Sequence, residues 1–578
     1  MSEPAANPTP PTEPPVEAGE EGASTSKKAA KKAEAKAKKE AEKAKRAAER
    51  AATMAAQTSA ASEDHATENY GNETLGTKLS TDAVEVSLLE IGEEHVGKKV
   101  LLRGWIQNSR MQGAKMVFVE IRERGNWAIQ GIAAANAEGT VSRQMVKWIG
   151  SVNLESFVIV EGTIEKPLEP VKACRVSGYE VHITKFFVHA AAPQILGMTL
   201  ATANRPITNF SDEQAPVDEG VEKLSLTSTE PAGIPAATML THLDNIVMHK
   251  RAPVQQAIAD IRVEVKDLFR EYLKQRGFKE RETRDCKLTC TSLIGAASEG
   301  GANVFRLPYF GTEAFLAQSP QFYKQIEIAG GRKRVFSISP VFRAENSNTP
   351  RHMTEFTGMD LEMETRDYHE AIDVLEGVLL YIFRGLKERC AAEIELVRSV
   401  YPSEDLLLPE PGKEVRLTFA EGQALLRAEG PEEFRNVSDE EDMSTAQEKA
   451  LGALVREKYK TDFYVLDKFP EGARPFYAKE DPLNPKVTQA YDFFIRGQEV
   501  LSGGQRINDP VELEARMRKK GVDPNSPGLK EYVQVFRSGC PSHSGGGIGL
   551  DRVVSWFLNL PSVSLAAYYP RTPKRLSP

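Results

Sequence analysis

Between positions 335 and 363 the sequence VFSISPVFRAENSNTPRHMTEFTGMDLEM sets arginine, aromatic and carboxylate side chains at the two-residue period of an extended chain. From Phe356 onward, Thr357, Met359, Leu361 and Met363 fall on one side and Phe356, Gly358, Asp360 and Glu362 on the other. The first side is apolar and suits a core. The second carries two carboxylates, which are costly to bury unless a cation faces them. Upstream, Val341, Arg343 and Glu345 alternate with Phe342 and Ala344, and NSNTP at 346–350 is turn-forming. An antiparallel hairpin is therefore predicted, presenting Arg343, Glu345, Arg351, Phe356 and Asp360 to one space. Arginine suits a phosphate, phenylalanine a base plane, aspartate an amine. For any one of these residues a structural ion pair is the commoner outcome. It is their joint occurrence that points to a site.

Three other stretches carry compatible chemistry. In AQSPQFYKQ, Ser319 is an N-cap candidate with Pro320 in the first turn, so Gln321 and Lys324 share a helical face. A lysine near a helix N-terminus opposes the dipole and calls for an anionic partner. In QEVLSGGQRIND, Glu499 and Ser502 offer hard oxygens of the kind that hold magnesium alongside nucleotide phosphates, and Arg506 offers a fork for a carboxylate. In SGGGIGLDR, glycines let a ligand approach the backbone and Arg552 follows on a helix. Neither a P-loop nor a dinucleotide fingerprint in strand-to-helix context is present, so a nucleotide would lie on an antiparallel sheet.

FRAE followed by RHMTEF resembles motif 2 of the class II aminoacyl-tRNA synthetases, and FTGMDLEM is similar to their aspartyl branch from eukaryotic cytosol. GGGIGLDR, in order after SGGQR, resembles motif 3, and the segment from Pro253 resembles the dimer-forming motif 1. The resemblance implies ATP-dependent activation of L-aspartate and its transfer to tRNA(Asp), with magnesium, by a cytoplasmic homodimer. It implies that Arg343 grips the α-phosphate and the attacking carboxylate, and that Arg343 and Arg552 are the catalytic residues. Glu345, Met353 and Phe356 would frame the adenine, Ala344 would also contact ATP, Arg351, His352 and Arg552 would hold the phosphate tail, and Gly549, Leu550 and Asp551 would line the nucleotide beside them. Ser298, Glu299, Gln321 and Asp360 would surround the ammonium, Lys324 and Arg506 would clamp the side-chain carboxylate with Ser502 nearby, and Glu499 and Ser502 would hold the metal. Departures from the family pattern are Arg284 in place of a proline, a lengthened RDCKLTCTSLIG segment, Pro350 in place of a histidine in the motif 2 loop, and Asn508 in place of a histidine. Asparaginyl or lysyl specificity, an asparagine synthetase of related fold, and a catalytically silent tRNA-binding relative are the alternatives.

The elements that must position these residues form an α+β chain. A length of 578 residues with 40% hydrophobic residues gives room for two or three domains. Residues 1–80 are too polar to bury a core. Within them, positions 26–50 hold eleven Lys/Arg against four Glu, with Lys28, Lys32, Lys36, Lys39, Lys43, Arg46 and Arg50 recurring every three or four residues. A helix there would carry one basic stripe able to track phosphates. The resemblance extends to the lysine-rich tRNA-binding motif of fungal aspartyl enzymes, with Ala30 in place of leucine.

Five alternating strands between about 96 and 192 predict a small OB-type barrel in a domain spanning 81–195. Phe118 faces away from Val117, Val119 and Ile121 and is a candidate stacking platform for a base, packing against a neighbouring loop or domain being the alternative. With Arg110, Gln130 and Glu180 it matches the family's anticodon-reading positions. Residues 196–242 read as a hinge, and 243–578 as the class II catalytic domain on an antiparallel sheet flanked by helices, with motif 1 near 253–284, motif 2 near 335–363 and motif 3 near 545–560. Residues 365–470 read as an insertion without identifiable chemistry. The net charge of −8 argues against a chain coated in nucleic acid without settling the partner, and five scattered cysteines support neither a disulfide framework nor a zinc ribbon. The N-terminus lacks a signal core, and no apolar run approaches membrane-spanning length.

Overall fold

The computed structural model describes residues 45, 64–207, 210, 237–280, 292–298, 304–347 and 349–577. The basic stripe (Lys28, Lys32, Lys36, Lys39, Lys43, Arg46, Arg50), Glu299, and the unusual segment with Arg284, Cys286 and Cys290 lie outside the described residues. The chain divides into two compact units.

The first unit is a closed five-stranded barrel: β1 (Lys99–Gln112), β2 (Met116–Arg124), β3 (Trp127–Ala134), β4 (Phe157–Glu165) and β5 (Glu180–Ala190). Around it, β5 follows β3, then β2 and β1, and β4 closes the ring by pairing with both β1 and β5. Alternation decides which side chains fill it: Val117, Val119 and Ile121 are fully buried. Tyr70–Asn72 adds a short parallel strand to β5, so part of the segment read as extension on composition is laid on the barrel.

The second unit is built on an eight-stranded sheet. Its strands are β6 (Lys279–Glu280), β7 (Arg334–Phe342), β8 (Glu355–Glu364), β9 (Val415–Thr418), β10 (Phe463–Asp467), β11 (Ala490–Ile495), β12 (Gln498–Gln505) and β13 (His543–Gly549). The order is β9-β10-β11-β12-β13-β8-β7-β6, antiparallel throughout except for the two edge pairs. Three helices cover its apolar face: α1 (Pro253–Gln275), α3 (His369–Arg389) and α5 (Leu550–Leu558). Met359, Leu361 and Met363 of β8 enter this core with Ile261, Val265 and Leu268 of α1. α1 starts on Pro253 as predicted, and the left-handed Gly277 follows its end. Two more helices matter to the site: α2 (Gln321–Ala329) and α4 (Thr445–Tyr459). α2 begins one residue later than the capping pattern implied. Pro320 is its N-cap, and Ser319 Oγ accepts from the Gln321 amide at 3.3 Å instead.

Residues 365–470 are not a peripheral insertion. α3 is buried along one face against α1, and β9 and β10 complete the sheet. A helix buried on one side has the same period as a surface helix, so periodicity alone does not separate a core segment from an insertion.

His242 and His249 stand fully buried beside each other, Nδ1 to Nδ1 at 3.1 Å. Burial lowers His242 to about 4, and burial with the neighbouring His242 and Lys250 lowers His249 to about 3. The unfolded chain therefore takes up these protons first, so stability present above the ordinary 6.5 is lost as pH falls toward 4. Melting at pH 5 against pH 7.5 is expected to show a loss of about 2 kcal/mol per histidine. The paired variant His242→Asn/His249→Asn should flatten that slope; an equal slope would remove these histidines as its source.

Candidate active site

On the open face of the sheet lies a cavity of about 210 Å³, room for a small organic ligand where a single water occupies about 10–15 Å³. Gln321, Lys324, Arg343, Glu345, Arg351, His352, Met353, Phe356, Asp360, Glu499, Ser502, Arg506, Gly549, Asp551 and Arg552, all named from sequence, line it. Register explains the convergence. Ser502 pairs opposite Gly547, and Gly547 opposite Asp360, so residues from β12, β13 and β8 form one row. The glycines of β13 make room for it: a Cβ on Gly547 would come 2.9 Å from Asp360 Oδ1, and one on Gly545 2.5 Å from Glu362 Oε2.

The inner end is a buried charge quartet. Lys324 Nζ lies 3.0 Å from Asp360 Oδ1 and 3.4 Å from Glu362 Oε2. Arg506 donates through Nε and Nη2 to the two oxygens of Glu362, at 3.0 and 3.3 Å, and through Nη2 to the Gly545 carbonyl at 2.9 Å. No hydrogen bond among the described residues uses Nη1, and one of the three Lys324 donors is left over. Burial drives Asp360 upward against the pull of Lys324, with Glu362 adding to the rise. Burial also works on Glu362, but Arg506 and Lys324 outweigh it and hold the carboxyl below its ordinary value. The dominant Glu362–Arg506 contact is thus a fixed ion pair, and Asp360 is the more readily protonated carboxyl. Behind Lys324, Gln321 Nε2 donates to Gln325 Oε1 at 2.9 Å, which also accepts from Tyr532 OH at 2.7 Å. Ser298 is buried, its Oγ 3.3 Å from Ser319 Oγ.

The outer end is rich in arginine. Arg343 stands just past the end of β7, its amide donating to the Thr354 carbonyl at 3.0 Å, with its Cζ 5.4 Å from the Phe356 ring centroid. Among the described residues it makes no ion pair, and its Nε is buried without a partner. Arg552 lies 3.3 Å from Glu499 Oε1. Burial pushes Glu499 up, yet Arg552, Arg474, Arg343 and Arg351 together hold it below the usual range. His352 is lowered by burial and by Arg552.

Not every expected residue is presented. Leu550 is fully buried in the core and Ala344 is not part of the cavity wall. Asp551 reaches the wall, but its carboxylate is taken by Arg262 and by the Thr357 amide at 3.0 Å. On the barrel, Phe118 is half-buried with the Arg110 guanidinium 5.2 Å from its centroid, and Gln130 Nε2 donates to Glu180 Oε2 at 3.1 Å. These four side chains therefore fall into two adjacent pairs on the barrel.

Residues 238–573 match the family model described as tRNA synthetases class II (D, K and N). The chain is 40% identical over 521 residues to the cytoplasmic aspartate–tRNA ligase of Rattus norvegicus, covering 90% of this chain and 96% of that protein. The crystal structure of a putative aspartyl-tRNA synthetase from Leishmania major superposes with a TM-score of 0.77 at 33% identity, covering 88% of this chain and 98% of the other. Asparaginyl-tRNA synthetase from Pyrococcus horikoshii, complexed with asparaginyl-adenylate, reaches 0.68 at 29% identity, covering 85% and 99%. The chain belongs to the class II aminoacyl-tRNA synthetases.

This synthetase also contains site groups that its sequence did not announce. Arg474 donates bidentately to Asp492 at 3.1 and 2.6 Å and to Ser502 Oγ at 3.2 Å, and its Cζ stacks 3.7 Å from the Phe469 centroid. Burial, opposed by Arg474 and reinforced by Glu499, pushes Asp492 up to about 6. Asp492 carried a usable signal, a carboxylate alone among Ala490, Phe494 and other apolar residues of β11. Glu448 of α4 carried none.

Proposed function

We infer that the synthetase is a cytoplasmic aspartate–tRNA ligase: it condenses L-aspartate with ATP to aspartyl-adenylate and pyrophosphate, then transfers the aspartyl group to the 3′ end of tRNA(Asp). The observation that carries this reading is one cavity holding Lys324 and Arg506 at its inner end and the unpaired Arg343 beside Phe356 at its outer end. The remaining donors of Lys324 and Arg506 receive the substrate's side-chain carboxylate. Asp360, Gln321, Ser298 and Glu299 receive its ammonium. The α-carboxylate is itself the nucleophile, so the protein supplies position and charge instead of a covalent intermediate. Arg343 aligns that carboxylate with the α-phosphate, while Arg351, His352 and Arg552 hold the phosphates and Glu345, Met353 and Phe356 flank the adenine.

Magnesium fits the hard-oxygen set of Glu499 and Ser502, with Asp492 adjoining. So few protein ligands leave coordination positions for phosphate and water, as this ion prefers. It would neutralise phosphate charge. Arg110, Phe118, Gln130 and Glu180 read the anticodon, the lysine-rich extension adds sequence-independent RNA affinity, and two copies pair through the motif 1 region.

ATP–pyrophosphate exchange with aspartate, asparagine and lysine tests the assignment. Aspartate alone should support exchange. Asparagine should fall about 10⁴-fold behind, because its neutral amide brings no charge to the leftover donors of Lys324 and Arg506 and turns its own N–H groups toward them. Exchange driven by asparagine or lysine would overturn the specificity, and none with any would favour a silent tRNA-binding relative.

A further inference from the structure

Arg351 is held from outside the cavity. Its Nη2 lies 2.9 Å from Glu448 Oε2 and its Nη1 donates to Thr445 Oγ1 at 2.6 Å, both from the first turn of α4. Only 14% of either charged side chain is exposed. The helix end is itself fixed: Ser444 and Gln447 form a reciprocal capping box. One turn on, α4 is pressed onto the hairpin between β11 and β12, so close that a Cβ on Gly452 would lie 2.3 Å from Gly497 Cα. That hairpin leads directly into Glu499 and Ser502. The helix end and the oxygen donors of the cavity therefore share one rigid reference.

We propose that Glu448, with Thr445, is a positioning residue that holds the Arg351 guanidinium across the cavity mouth, where it meets the phosphate tail of ATP. This rests on the assignment of Arg351 to the nucleotide given above. Arg351 stands on the irregular segment between β7 and β8, and an untethered arginine there loses rotamer freedom each time it grips a phosphate. The clamp removes that loss in advance. It uses one bond at each terminal nitrogen of a five-donor group, leaving donors for the ligand. Burial pushes Glu448 up to about 7 against the pull of Arg351, and its place at a helix N-terminus, where the dipole favours a negative charge, works with Arg351.

Initial-rate ATP–pyrophosphate exchange on the full chain decides the matter with E448A, E448Q, R351A and the double variant. E448A is expected to raise the KM for ATP about tenfold, as for one lost charge-assisted hydrogen bond. The KM for aspartate should stay within about twofold, and E448Q, which keeps one acceptor, should fall between E448A and the parent. In the R351A background, E448A should add nothing further. An unchanged or lowered ATP KM in E448A, equal damage to the aspartate KM, or an additive effect in the double variant would overturn the proposal while leaving Arg351 on the nucleotide. An R351A enzyme with unaltered ATP KM would instead overturn that assignment, and the positioning role with it.

Discussion

R343A is expected to lose about 10³-fold in kcat for aspartate-dependent ATP–pyrophosphate exchange, the scale for one preorganised donor aimed at developing charge. The same substitution should leave the melting temperature nearly unmoved. Arg343 has no ion-pair partner among the described residues, and Glu499 keeps Arg552, Arg474 and Arg351, so removing it orphans no buried carboxylate; what is lost in the folded state is its contact with Phe356 and its share of the positive field on Glu499. R343K should recover only part of the rate, since an ammonium gives a point charge where a planar fork is needed. Exchange within tenfold of the parent in R343A would detach Arg343 from the reacting phosphate.

E362Q should behave in the opposite way, damaging the fold first. The Glu362 side chain has no solvent exposure and answers Arg506 at 3.0 Å and Lys324 at 3.4 Å. Neutralising it strands positive charge in a dry pocket, at a cost of about 3–5 kcal/mol in unfolding free energy. Aspartate brings a carboxylate to the same place, so saturating aspartate should protect E362Q more strongly than it protects the parent. Denaturant titration with and without aspartate reads both effects. E364Q, one step further along β8 and exposed, is the control and should stay within about 0.5 kcal/mol. Parent-like stability in E362Q would mean that the quartet does not hold the pocket together.

The two variants separate because unpaired and paired cations occupy different ends of one cavity. The inner end is neutral before substrate arrives, two cations against two carboxylates. The outer end carries an excess of arginine that a triphosphate can absorb. On the function proposed above, a site of that design would discriminate aspartate from asparagine at the inner end and direct its electrostatic field to the phosphates at the outer one.

Much of this was legible in the linear sequence because strands impose a period of two and helices one of 3.6. Alternation alone assigned Met359, Leu361 and Met363 to the core and Asp360 and Glu362 to the opposite wall, and the same rule found all five barrel strands. Capping and turn chemistry placed Pro253 at the start of α1 and Gly277 beyond its end. Local pattern therefore determined which residues face inward and which chemistry each face offers.

Only the tertiary structure decided who meets whom. That Arg506 would be fixed by Glu362, that the Asp551 carboxylate would turn back onto Arg262, that Leu550 would sink into the core, and that Glu448, 97 residues downstream, would reach Arg351 all depend on register between strands distant in sequence and on how α4 docks against a glycine turn. Charge pairing acts over a few ångströms in space and leaves no period along the chain, so a buried carboxylate announces that it needs a partner without naming it.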